Sequence, residues 1–240
     1  MLGSGVYKRV LLKLSGEALM GEQKFGVDKI ACSTIALAIK EIYDQGIQLG
    51  VVIGGGNIFR GAQIKDFGFE RTPADQIGML GTAINGLFLQ QSLSLVGCES
   101  RVLSALPCDA VVETYNWTLA MDYLKRNIIT IFVGGTGNPY FTTDTAGALR
   151  ANEIKADLLL KGTKVAGIYD KDPLQHSDAI KYTSLTYSEV LAKKLNVMDA
   201  TAITLCRENH IPIYVFNLFE KGALLKALSL KGNGSLISGE

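Results

Sequence analysis

Apolar residues come in short runs of strand length, separated by longer stretches in which they recur at helical spacing. The first run, residues 7–14, is almost wholly apolar from Val10 onward except for Lys13, as expected of a central strand covered on both faces. A helical period follows through Ile30, Ile35, Leu37, Ala38, Ile39 and Ile42, with Gly46 as its C-cap and a second apolar run over 47–53. This is βαβ wiring, which implies a parallel pair. Further strands are predicted at 101–106, 128–133, 156–161, 165–169, 211–216 and near Leu236. Helices are predicted at 73–96, 117–125, 145–154, 199–209 and 222–230, with capping signals at 184–189. Pro73 suits a first helical turn, and Gly78, Gly81 and Gly86 allow close packing of that helix, within the fold or against a second copy. The order implies an α/β fold with a mainly parallel sheet, and no linker interrupts it, so residues 1–240 read as one domain.

Composition narrows the function classes. A formal charge of +1 over 240 residues carries no basic bias, so nucleic acid is not an expected substrate. The longest apolar runs fall far short of the ~20 residues that span a bilayer. No export signal is visible at the start, and a cytoplasmic, membrane-free protein is expected. Four scattered cysteines and two histidines give no zinc pattern, so the thiols read as small buried hydrophobes.

The candidate chemistry lies where apolar runs stop. Gly54-Gly55-Gly56-Asn57-Ile58-Phe59-Arg60-Gly61 reads as a phosphate cradle, since residues without Cβ let backbone N–H groups approach anionic oxygens. Lys13 is followed by Leu14, Ser15 and Gly16, which favours an ammonium facing a phosphate over one snorkelling from an edge. The segment 134–144 is the most polar in the chain; Thr142, Thr143 and Asp144 read as a ligand wall at a helix N-terminus. Lys161-Gly162-Thr163 is a fourth polar cluster of this kind. Strand ends of an open α/β sheet face one crevice, so these clusters can converge. For Asp75, dipole compensation suffices, although it could also accept bonds from sugar hydroxyls. Tyr169 reads as core edge or base stack, and Asp199 as an N-cap or a functional acid. Neither the dinucleotide Gly-x-Gly-x-x-Gly pattern nor the P-loop is present. Phosphoryl transfer fits best, with Lys13 and Arg60 stabilising charge and Asp144 and Asp199 holding Mg²⁺ or orienting the cations.

These motifs also carry a resemblance. Lys13-Leu14-Ser15-Gly16-Glu17-Ala18, the glycine segment with Arg60, Asp75 with Gly78-Met79-Leu80, the 135–144 segment and Val197-Met198-Asp199 closely resemble those of bacterial UMP kinases, a family of the amino-acid-kinase superfamily. The resemblance implies a three-layer αβα sandwich, a homohexamer and the reaction UMP + ATP to UDP + ADP with Mg²⁺. It implies ATP contacts at Lys13, Leu14, Ser15, Gly16, Gly56, Arg60, Thr163, Tyr169 and Asp172. UMP contacts are implied at Gly55, Asp75 and the segment Thr136, Gly137, Asn138, Pro139, Tyr140, Phe141, Thr142 and Thr143. Lys13, Arg60, Asp144 and Asp199 are the implied catalytic set, without a fixed protein-only metal site. The acceptor site then falls in the N-terminal part and the ATP nucleoside site in the C-terminal part.

Two departures bear on this. Many relatives carry Asp where this chain has Ala166. Relatives activated by GTP present basic side chains on the helix predicted here at 73–96, whereas no Lys, Arg or His occurs between Arg71 and Arg101, so weak or no GTP activation is expected, while UTP remains a candidate inhibitor. The rival readings are a carboxylate- or carbamate-phosphorylating kinase of the same fold and a non-catalytic uridine-nucleotide sensor. The first needs cationic clamps at its acceptor end, where this chain offers hydroxyls and amides.

Overall fold

A computed structural model describes residues 7–59 and 68–240. Arg60 and the rest of 60–67 lie outside the described residues. A nine-stranded sheet forms the centre, and β1 (Arg9–Leu14) is its middle strand. On one side of β1 lie β2 (Gln48–Ile53), β5 (Ile129–Val133), β3 (Ser100–Ser104) and β4 (Glu113–Thr114). On the other lie β6 (Leu158–Thr163), β10 (Ile213–Asn217), β11 (Ser235–Ile237) and β9 (Ser184–Leu185). Every pairing is parallel except β10 with β11. A separate antiparallel pair joins β7 (Ile168–Tyr169) to β8 (Lys181–Tyr182).

Alternation along each buried strand feeds two cores. Val10, Leu12 and Leu14 face α1 (Lys29–Tyr43), α2 (Arg71–Leu95) and α7 (Ala223–Leu228). Leu11, Val52 and Leu159 face α3 (Trp117–Lys125), α4 (Thr143–Glu153), α5 (Tyr187–Ala192) and α6 (Ala200–Glu208). Two helical layers over one sheet make the three-layer arrangement. The predicted elements recur with ends moved by a few residues: α2 begins before Pro73, with Glu70 as its N-cap, and α1 ends on Asp44, short of Gly46. Gly81 and Gly86 pack within the fold, because a Cβ would lie 3.3 Å from Gly55 O and 2.4 Å from Val133 Cγ1 respectively.

Candidate active site

Parallel pairing sends β1, β2, β5, β6 and β10 towards the same edge, and their ends carry the polar clusters. Lys13 of β1 and Lys161 of β6 are register partners. Each lies one pleat beyond an inward leucine, Leu11 or Leu159, so both point to the layer that holds α4. Two buried ammonium groups side by side would repel. Asp144, in the first turn of α4, bridges them: Lys13 Nζ is 2.6 Å from Oδ1 and Lys161 Nζ donates to Oδ2 at 2.8 Å. Lys161 also donates to the Val197 carbonyl. Gly147, one turn on, rests against the Lys13 stem, where a Cβ would lie 3.3 Å from Cγ.

Burial alone would raise the Asp144 carboxyl, but the two ammonium groups outweigh it and hold it below the usual carboxylate range. For Lys161, burial and then the charge of Lys13 prevail over Asp144 and lower its ammonium. The two ammonium groups thus sit side by side at the sheet edge with Asp144 between them and the Asp199 charge also felt at Lys161.

Asp199 braces the same helix from α6. It caps α6 through Ala202 N at 2.9 Å, takes the Thr145 hydroxyl at 2.9 Å on both oxygens, and accepts from Thr142. Thr142 in turn caps α4, accepting from Asp144 N and Thr145 N. Asp199 is thus the N-cap that was one of its two readings, and it also stands against the helix that carries Asp144. With these partners, neither carboxylate is laid out as a cation cage, and among the described residues no group of three or more His, Cys, Asp or Glu converges.

The glycine segment is held from behind. A Cβ on Gly55 would lie 2.6 Å from Gly78 O, and one on Gly16 would lie 2.3 Å from Asn57 Oδ1 and 2.7 Å from Gly54 O, so backbone meets backbone there without room for a side chain. Asn57 and Asn85, both fully buried, exchange amide bonds, and Asn85 donates to Gly54 O at 2.6 Å. Thr82, on α2, accepts from Gly134 N at 2.7 Å and fixes the start of the 134–144 loop.

Two cavities lie by this edge: Lys161 lines one and Thr142 and Thr143, next to Asp144, line the other, while Lys13 and Asp144 line neither. One, of about 330 Å³, is lined by Gly55, Gly56, Asp75, Thr136, Phe141, Thr142 and Thr143, among others. Gly137, Asn138, Pro139 and Tyr140 are outside its lining: Asn138 folds back on Thr136, and Tyr140 N donates to Asp75 Oδ2 at 2.7 Å. The other, of about 420 Å³, is lined by Lys161, Thr163, Tyr169, Asp172, Leu195 and Val197, among others. Within it, Thr163 donates to Val165 O, and Asp172 closes its own turn by accepting from Leu174 N. Leu14 is fully buried, leaving only its backbone for a ligand. Leu14, Ser15 and Gly16 line neither cavity and lie at the β1 end between them.

The model of the amino acid kinase family matches residues 8–217. The chain is 59% identical over 211 residues to a uridylate kinase of Protochlamydia amoebophila, covering 88% of this chain and 84% of that one. It is 54% identical to a uridylate kinase of Magnetococcus marinus, covering 96% and 95%. The chain belongs to the amino acid kinase family, among its uridylate kinases. Its fold superposes on a crystal structure of UMP kinase from Bacillus anthracis with a TM-score of 0.92 at 39% identity, covering 97% and 96% of the two chains.

For a member of this family, the residues that sequence reasoning passed over are informative. Lys161 had no assigned role, yet its signal was present: Leu158-Leu159-Leu160-Lys161 repeats the pattern of Val10-Leu11-Leu12-Lys13. Asn85 and Thr82 gave no such signal, because each matters through a contact with a distant segment, and for Arg71 the pair with Asp75 one turn on was visible but its approach to the Tyr140 ring was not.

Proposed function

We propose that this uridylate kinase transfers the γ-phosphoryl group of Mg-ATP to UMP, giving UDP and ADP. The observation that carries the mechanism is the buried pair Lys13 and Lys161 bridged by Asp144 between two cavities. The cavity at Tyr169 and Asp172 takes the ATP nucleoside, and the cavity at Gly55, Asp75 and Thr136 takes UMP. In line, a UMP phosphate oxygen forms the new bond to the γ-phosphorus as the bond to the ADP oxygen breaks. That nucleophile is already an anion near neutral pH, so no side chain need remove a proton. The two ammonium groups stabilise the charge spread over the moving phosphoryl oxygens, and Asp144 keeps them charged and aligned. Mg²⁺ enters on the ATP phosphates as part of that substrate, consistent with carboxylates committed to lysines and threonines.

Residues 1–240 form one kinase domain in this reading, with donor and acceptor sites sharing one sheet edge. No described helix is long and apolar enough to cross a membrane. UTP, sharing uracil and ribose with UMP, competes for the acceptor cavity, and GTP does not activate. The test is coupled ADP release with Mg-ATP and UMP, CMP, dTMP, AMP, aspartate or carbamate, with and without GTP and UTP. Turnover with UMP alone is expected; turnover only with a carboxylate or carbamate would refute the acceptor assignment, and a several-fold rise with GTP would refute the effector assignment.

A further inference from the structure

Arg71 opens α2 at the rim of the smaller cavity, and its side chain is more than half exposed. An exposed ion pair one helical turn apart is ordinarily worth little. This one is tied into more. Arg71 Nε donates to both Asp75 oxygens, at 2.9 Å to Oδ1 and 2.7 Å to Oδ2, and the guanidinium lies 5.2 Å from the centre of the Tyr140 ring. Tyr140 adopts a left-handed φ of 71°, uncommon for a residue with a side chain, and its N–H donates to Asp75 Oδ2. Arg71 therefore joins the first turns of α2 to the 134–144 loop across the cavity mouth.

A carboxylate has about four lone-pair positions. Here Oδ2 receives two donors and Oδ1 only the longer contact from Arg71, so Oδ1 is the oxygen open to a ligand hydroxyl. Without the guanidinium, Asp75 would keep only the Tyr140 N–H and would stand as an anion with no cationic partner in a cavity meant for an anionic nucleotide, held at one oxygen instead of two. We propose that Arg71 is a positioning residue: it aims Asp75 at a ribose hydroxyl of the acceptor and so sets the preference for ribose over deoxyribose. This rests on the reading of the cavity as the UMP site.

The test compares wild type, Arg71→Met, Asp75→Asn and the double variant with UMP, 2′-deoxy-UMP and 3′-deoxy-UMP. Wild type should favour UMP over at least one deoxy analogue. Arg71→Met is expected to raise KM for UMP by about five- to tenfold, the scale of one charge-assisted hydrogen bond at an open rim, while KM for ATP is unchanged. It should also collapse the ribose preference, and add nothing further once Asp75 is Asn. A variant that keeps the preference, or whose effect adds in full to that of Asp75→Asn, would overturn the role of Arg71. Failure of wild type to use UMP would instead overturn the acceptor assignment itself.

Discussion

Lys13 and Lys161 are adjacent on one sheet face, both largely buried, and Asp144 bridges them. Removing one member of a buried charge set leaves the others uncompensated, which costs far more than the set is worth in total. Asp144→Asn is therefore expected to fold but lose about 3 kcal/mol of stability, read as a lower urea midpoint. The pH dependence has a definite sign. Because the folded carboxyl lies below its ordinary value of 3.8, its contribution is fully present above that pH and is lost as pH falls through the folded value. Wild type should lose this increment in acid and Asp144→Asn should not; parallel acid limbs for the two proteins would show that the carboxylate is not held by the lysines. Lys13 and Asp144 were legible as chemistry because each interrupts a pattern, a charge in an apolar strand and an acid in a threonine-rich helix start. That Lys161 completes them depends on the β1–β6 register, which a single sequence does not fix.

At the level of elements, α4 is the part that must be placed correctly, since its first turn presents Thr142, Thr143 and Asp144 to the strand ends. Asp199 holds it from the N-terminus of α6 while also capping α6. Asp199→Ala should lose the cap and both threonine contacts, lowering stability by about 1–2 kcal/mol. Asp199→Asn keeps an oxygen for Ala202 N and should melt close to wild type. Equal melting temperatures for the two variants would remove the cap from the account. Long, strongly periodic elements were readable from the chain, and the 117–125 helix is found with the predicted bounds. The two-residue strands β4, β8 and β9 were not, because pairing defines them and no local period can. The limits of the acceptor cavity were also hidden: within the 136–143 segment, Gly137 to Tyr140 lie outside its lining because positive-φ turns at Gly137 and Tyr140 redirect the backbone.

On the scale of the whole molecule, α2 presents Leu80, Ile84 and Phe88 to solvent at four-residue intervals, with Leu95 seven residues further on. That stripe is a surface where a second copy could bury apolar area, as the homohexamer implied by the resemblance would require. Ile84→Glu with Phe88→Glu should reduce the mass measured by light scattering; an unchanged hexamer would move the interface elsewhere, and a monomeric wild type would remove it. In the proposed mechanism the carboxylate-bridged lysine pair stabilises the phosphoryl group in flight. The direct measurement is single-turnover transfer from Mg-ATP to UMP in Lys161→Met, with nucleotide dissociation constants determined alongside. A rate at least about 100-fold below wild type, with ATP and UMP binding little changed, is predicted for a lost electrostatic contact of this kind. A wild-type transfer rate, or a loss confined to nucleotide binding, would contradict it.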